Sequence, residues 1–385
     1  EVKALGDKLR KEQGEEDALH LQKIVNWSRA FTLLGLLTLW VYPNPVTVMF
    51  LSLGFFTRWT MIGHHTCHGG YDNVDTKPVG GPSTYKRYTF AWGSLWRRAV
   101  DWMDWMLPEA WDMEHNRIHH YKLGETADPD LVEENLSDLR DGNQPLFVKY
   151  LLVGFFMSTW KWFYYAPNTF KMLKYAEHRR ARSLTKEMIA QKDSILTLKS
   201  LLLGTIRWIS AWEFFYRVVG PMFMYNFVLL PLPILLIFGT QRYYYAIVNL
   251  LLTDIVTNIH GFLAVVTNHA GDDLYRFQTS CNPNTPTFYL RAVISSVNFS
   301  CGSDIVDLAH GWLNYQIEHH MFPNLSMRSY QKAQPRVQAI CKKYGVPYVK
   351  QNVLWRLKKT VDIMVGNASM RRFPEGVVDQ SKDML

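Results

Sequence analysis

Residues 311–326 read GWLNYQIEHHMFPNLS, and within them Gln316, His319 and His320 form a Q-x-x-H-H cluster followed at once by Met321-Phe322-Pro323. Neutral imidazole is the commonest protein ligand for iron, copper and zinc. Two adjacent histidines with an amide oxygen nearby therefore look like part of a metal site. A histidine pair in a loop is more often structural, so this stretch alone decides little. Two further clusters lie far upstream, His64-His65-Thr66-Cys67-His68 and His115-Asn116-Arg117-Ile118-His119-His120. Eight of the thirteen histidines fall in these three clusters, which makes three unrelated structural pairs a poor account.

Spacing carries the chemistry further. On a helix, residues four apart share a face, so His64 with His68 and His115 with His119 can each offer two nitrogens to one ion. Three clusters hold more ligands than one metal accepts, and two ions are implied. Histidine ligation without thiolate or carboxylate suits redox iron that reacts with dioxygen, although zinc and copper are compatible by ligand type.

With these residues in view, the chain resembles the membrane-bound fatty acid desaturases, whose three histidine boxes hold a di-iron centre. The Q-x-x-H-H form and its Phe-Pro resemble the front-end acyl desaturases in particular. The resemblance covers residues 35–361. It implies His64, His68, His115, His119, His120, His319 and His320 as iron ligands, with Gln316 standing where other branches carry a histidine. The family also uses a histidine at the end of its last membrane helix, and His269 matches that place. Implied with the centre are two iron ions, dioxygen as co-substrate, a fatty acyl lipid substrate and electrons from an external donor such as ferredoxin or cytochrome b5. Two features depart from the pattern. His65 stands where the first box usually has aspartate, and these 385 residues contain no His-Pro-Gly-Gly motif of a fused cytochrome b5 domain.

Hydropathy and charge give a separate line. Residues 27–42 and 46–62 are apolar runs divided by Pro43-Asn44-Pro45, and residues 218–238 and 243–266 are longer runs divided by 239–242. A spanning helix needs about 20 residues, so the pattern reads as four spans in two hairpins. Of the 42 Lys and Arg, only Arg242 falls in either short turn, and neither turn contains Asp or Glu. The positive-inside rule then places both termini and all three boxes on one aqueous face. The expected organisation is a soluble arm at 1–26, a first hairpin at 27–62, a cap with boxes 1 and 2 at 63–217, a second hairpin at 218–266, and a cap with box 3 and a basic tail at 267–385.

Other stretches carry narrower expectations. Trp92, Trp96, Trp102, Trp105 and Trp111 crowd the approach to the second box, and tryptophan favours the membrane interface. Residues 146–165 are apolar but interrupted by Lys149 and Lys161, and are read as interfacial or as lining the site from the side. Residues 176–199 read as a basic, exposed helix. Asp254 and His260 sit inside the last apolar run, where ionisable groups are functional candidates. Helix rise alone does not choose between His260 and His269 as ligand; the family pattern favours His269. His20 and His178 read as solvated, His310 as a neighbour of the third box, and Asp128, Asp130 and Glu318 as partners that orient ligand imidazoles. Residues 331–363 are basic, as is the chain at net charge +8, which suits anionic lipid heads or an acidic electron carrier. No nucleic-acid reader motif accompanies that charge. Four cysteines without a C-x-x-C pair give neither a zinc spacing nor a disulfide framework, and residues 381–385 carry no recognised endoplasmic-reticulum retrieval signal.

The expectation is an all-α integral membrane protein with four transmembrane helices in two hairpins and a histidine-rich catalytic cap on one face. Its expected activity is di-iron, oxygen-dependent acyl-lipid desaturation in an organelle membrane (plastid or mitochondrion) or the endoplasmic reticulum. A di-iron lipid hydroxylase on the same scaffold is one competitor. A catalytically idle subunit associated with other membrane proteins is another; intact boxes argue against it.

Overall fold

The computed structural model describes residues 1–80, 84–374 and 383, so residues 381–385 lie outside the described residues except for Asp383. Regular structure is almost entirely helical, apart from one short parallel pairing of Tyr275–Arg276 with Arg371–Arg372. In chain order the helices that build or support the site are α1 (Val2–Lys11), α2 (Glu15–Leu37), α3 (Pro45–Cys67) and the π-helical α4 (Asp112–His119). There follow the short α5 (Val132–Asn135) and α6 (Ser137–Arg140), then α7 (Leu146–Trp160), α8 (Ala166–Arg180) and α9 (Leu198–Leu202). The last group is α10 (Ala211–Phe238), α11 (Thr240–Val266), α12 (Gln316–Met321), α13 (Met327–Lys343) and α14 (Val353–Val365).

Among the described residues three helices are long and apolar enough to cross a membrane: α3, α10 and α11. The first apolar run does not qualify, because only its residues 27–37 are helical and they follow a charged half of the same helix. Glu15, Glu16 and Asp17 occupy the first turn of α2, where carboxylates favour the helix dipole, and the Asp17 carboxylate accepts the Gly14 N–H at 2.9 Å. No proline or glycine interrupts the helix between that cap and Gly35. The polar arm and the apolar run therefore merge into one element.

Lipid is as apolar as leucine, so side-chain burial alone does not drive helices together there; polar ties do. The Pro43-Asn44-Pro45 turn is held by Asn249 of α11. Its amide donates to Leu39 O and Val41 O, both at 3.1 Å, and its oxygen accepts the Asn44 N–H at 3.2 Å. Asn44 in turn caps α3 by accepting the Thr47 N–H, with Pro45 at the first helical position. Between α10 and α11 the chain turns at Gly239, whose φ of +80° a residue with a Cβ rarely adopts. Asp254 of α11 accepts hydrogen bonds from Trp105 Nε1 and Asn226 Nδ2. Its partners are thus structural ties and not box histidines.

The remaining expectations resolve individually. Helix α7 continues through a π-helical turn at Lys161–Tyr165 into α8, so residues 146–165 form part of one long rod. Residues 176–199 are not one helix. Helix α8 ends at Arg180, Arg182 takes φ +54°, and Thr185 caps a separate short turn. The tryptophans divide: Trp102 and Trp111 are core residues, whereas Trp96 is 72% exposed. His20 is not solvated. Its ring packs edge-on to Trp312 at 5.0 Å, and burial pushes its pKa down to about 4.

Candidate metal centre

Each histidine box sits where helical winding departs from the ordinary α form. At the end of α3 the residues Thr57–Gly63 form a π-helical turn, and His64–Cys67 follow. Insertions of this kind collect at functional sites, because one extra residue per turn re-aims the side chains after it. The His64 ring donates through Nδ1 to Thr60 O at 3.2 Å, leaving Nε2 free. In the second box, π-winding stacks residues five apart, and His120 Nε2 lies 3.3 Å from His115 Nε2. The third box begins at Gly311 (φ +64°), where a Cβ would fall 2.5 Å from Thr60 Oγ1 of α3. His269 stands just beyond the end of α11, and its neighbour Asn268 donates to Leu313 O at 3.0 Å.

These placements bring the boxes together in two groups. Ligand atoms of His64, His68, His115 and His319 all lie within 4.8 Å of one another, and those of His119, His269 and His320 do likewise. The His120 ring lies against the first group, with centroids 4.4 Å from His68 and 4.6 Å from His319. Gln316 belongs with the second: its Nε2 position is 2.9 Å from His269 Nε2 and 3.0 Å from His320 Nε2. His115 is also within reach of His119 and Asp130. His260 joins neither group. It stacks on Phe56 at 3.7 Å, and Nε2 meets Ala309 O at 2.7 Å. His310 bonds Val306 O, His178 bonds Ser183 Oγ, and His65 is buried beside Tyr330 with both nitrogens unpartnered.

The donor set fits a pair of metal ions on three counts. Buried polar atoms without partners are rare, yet Nε2 of His64, His68, His119 and His319 is buried and unpartnered, and Nε2 of His115, His120, His269 and His320 meets only one another or Gln316. Two donors bound about 2.1 Å from one ion lie roughly 3 Å apart, the separation seen between Nε2 of His115 and Nε2 of His120 and, once the Gln316 amide is turned to present its oxygen, between that oxygen and Nε2 of His269 and His320. Finally, burial holds the rings of His68, His115, His120, His269, His319 and His320 well below the usual imidazole range, in the neutral, ligating form.

Supporting residues fix which nitrogen faces inward. The His119 Nδ1–H donates to Asp128 Oδ1 at 2.7 Å, with Asp130 Oδ2 at 3.5 Å. Burial alone would lower the His119 pKa, but these carboxylates raise it. His319 Nδ1 meets Tyr330 OH at 3.2 Å, and that hydroxyl is positioned by Phe322 O at 2.8 Å. Glu318 does otherwise, accepting from Asn298 Nδ2 and Tyr348 OH, each at 2.7 Å. It braces the third box without touching a ring. Asn116 ties the second box to the first by donating to Cys67 O at 2.8 Å. Trp111, read from sequence only as an interfacial residue, stacks on His115 at 4.5 Å and donates to Tyr165 OH. Its place four residues before His115 was the available signal. Glu114 is buried beside this centre, and burial pushes its carboxyl well above the usual range, with Asp130 and Asp128 adding to the shift.

A cavity of about 420 Å³ reaches the second group, ending at His269 and Asp130. Its inner wall is Phe262, Val265 and Val266 of α11 with Phe156 and Trp160 of α7. The rod α7 thus lines the site from the side.

A family model described as fatty acid desaturase matches residues 46–352. Over 105 residues the chain is 29% identical to the NADPH-dependent stearoyl-CoA 9-desaturase of Mycobacterium tuberculosis, covering 27% of this chain and 24% of that one. Over 88 residues it is 35% identical to the acyl-lipid (9-3)-desaturase of Physcomitrium patens, covering 23% and 15%. Over 91 residues it is 31% identical to the Delta(8)-fatty-acid desaturase 1 of Arabidopsis thaliana, covering 23% and 20%. The matched stretches therefore span less than a quarter of these relatives' lengths. No solved structure matches the chain. Three converging histidine boxes and a family match over most of the length agree: the chain belongs to the fatty acid desaturase family.

Proposed function

We propose that the protein is a di-iron acyl-lipid desaturase that places a cis double bond toward the carboxyl end of a bound acyl chain. The observation that carries this reading is the apolar cavity lined at one end by His269, a member of the group it forms with His119 and His320. His64, His68, His115, His120 and His319 would hold one iron, and His119, His269, His320 and Gln316 the other. When bound, the iron pair supplies activation of dioxygen after reduction by two electrons. The overall change removes two hydrogens from adjacent methylenes and, with two electrons and two protons, converts dioxygen to two waters.

The chain's own residues do the rest. Phe156, Trp160, Phe262, Val265 and Val266 exclude water and hold the hydrocarbon so that one carbon pair faces the centre. Asp128 and Tyr330 hold the rings of His119 and His319 with Nε2 inward. Gln316 in the third box supports the front-end assignment. Electrons enter from a donor outside these 385 residues, a ferredoxin or cytochrome b5, and the basic face of α13 around Lys342 is the docking surface that charge favours.

The membrane reading places α3, α10 and α11 across the bilayer, with the apolar end of α2 and the turn after it (27–42) as a fourth crossing. Both termini then share the side of the histidines, and Asn44 and Gly239 lie opposite. Cysteine labelling should reach position 350 from the histidine side and position 44 only from the other; labelling of both from one side would exclude this topology.

The activity is tested by expressing the chain with a matched donor in a host of known lipid content. New cis double bonds, located by mass spectrometry, are the expected result. An iron-loaded protein that makes only hydroxylated lipid would move the assignment to the hydroxylase, and iron-free protein without product to the idle subunit.

A further inference from the structure

The cavity that ends at His269 has an outer end whose chemistry restricts what the acyl chain can be attached to. Beyond the apolar wall the lining finishes on Asn135, Asp138, Thr197 and Ser200, contributed by α5, α6 and α9 and the residues preceding α9. Among the described residues of this lining only Asp138 is exposed, which marks the polar end as the mouth. Few, well-placed polar groups at the rim of an apolar pocket are what fix a ligand's orientation. Any head or carrier borne by the acyl chain has to meet them.

Among the described residues the lining contains two aspartates, Asp130 and Asp138, and no Lys or Arg. The cations carried by the lining helices are engaged elsewhere. Arg140 binds Ala368 O and Ser369 Oγ, Lys149 binds Arg140 O, and Lys161 binds Asp104 at 2.7 Å. On α14, Arg356 binds Asp273, Lys358 pairs with Asp362, and Lys359 with Asp272. Lys199 on α9 is exposed and lies outside the lining. Helix α7 also leaves Phe147 and Leu151 exposed at 67% and 69%, a surface suited to lipid on the same helix whose Phe156 lines the cavity.

We propose that this mouth takes its acyl chain from a membrane lipid whose head carries no net negative charge, in preference to acyl-CoA or an anionic phospholipid. The proposal rests on the desaturase reading above and adds the substrate class. The phosphates of CoA would have to lie beside Asp138 with no cation in the lining to receive them, and like charges brought together reject a partner. A zwitterionic or glycosyl head instead meets amide, hydroxyl and carboxylate groups that hydrogen-bond without repulsion.

The test uses the iron-loaded protein in vesicles with its donor. The same acyl chain is offered on phosphatidylcholine, on a glycosyl diacylglycerol, on phosphatidylglycerol and on CoA. New double bonds are expected on the first two, with kcat/KM at least about tenfold lower on the last two. Asp138→Lys should narrow that gap about tenfold through KM, and Lys199→Ala should leave the ranking unchanged. Metal-free protein gives a readout independent of turnover: phosphatidylcholine should displace a fluorescent acyl probe that acyl-CoA does not. Equal or better use of acyl-CoA, or loss of CoA use specifically in Lys199→Ala, overturns the proposal while leaving desaturation intact. Absence of new double bonds in every pool overturns both readings.

Discussion

His319→Ala protein is expected to make no detectable double bond and to retain less than its full pair of irons. The ring of His319 lies 4.6 Å from each of the rings of His64, His68 and His120, so it joins box 3 to both other boxes. Its removal takes away a donor and leaves several buried nitrogens facing a gap. Loss of a residue that only supports a ligand costs 10–100-fold in metal affinity or activity as a rule. Tyr330→Phe, which removes only the hydroxyl at His319 Nδ1, should fall within roughly that range. Loss of the ligand itself should exceed it by at least about tenfold. Gln316→His should be tolerated better than His319→Ala, because imidazole can take the place of the amide between His269 and His320. Iron analysis and mass spectrometry of lipid from the same preparations check all three. Full iron and full product in His319→Ala would remove this residue from the ligand set.

Much of this centre was legible in the chain before any coordinates, since ligand type and spacing are local properties. What spacing left open was which histidines group together. His115 and His119 do share a face, with rings stacked at 5.0 Å, but the π-turn also brings His120 Nε2 to 3.3 Å from His115 Nε2 and sets His119 beside His269 and His320. No single side chain announces a π-turn, so pattern reasoning has nothing to detect. Depth along the last apolar run left His260 and His269 open; three-dimensional placement separates them, because His260 is stacked on Phe56 and His269 faces His320. Proximity in sequence found Asp128 beside His119 but pointed to Glu318 for the wrong partner. The cavity was out of reach for the same reason. Its walls come from α5, α6, α7, α9, α11 and α14, which only the tertiary fold assembles.

The largest effect on stability is expected from a residue far from any histidine in sequence. Arg356 of α14 is fully buried, and its guanidinium clamps the segment that follows α11. Its Nη1 donates to both Asp273 oxygens at 2.7 and 2.9 Å and reaches Gln351 Oε1 at 3.1 Å, while Nη2 donates to Ala270 O at 2.7 Å. His269 is the residue immediately before Ala270, so one side chain both closes the cap and positions a member of the second group. Arg356→Ala would leave Asp273 with only Lys359 and Ala270 O with only Thr360 Oγ1 at 3.4 Å. Because Asp273 is half-buried, the cost should fall at the lower end of the range for a broken buried pair, about 3–5 kcal/mol. Arg356→Lys restores the charge but cannot reach Asp273 and Ala270 O together from two nitrogens, and should recover only part of that loss. The Asp273 carboxyl, which burial alone would raise, is held below its usual range by Arg356 and Lys359. Its contribution is therefore present above the ordinary aspartate pKa of about 4 and is lost as pH falls through the depressed value. Thermal unfolding in detergent should show wild type weakening only at the acid end, with Arg356→Ala already low at neutral pH. The clamp also predicts that Arg356→Ala loses iron from the second group first, because His269 sits on the released segment and the first group does not. Equal melting of wild type and Arg356→Ala, or loss of both irons together from a protein that remains folded, would show that α14 does not hold this segment.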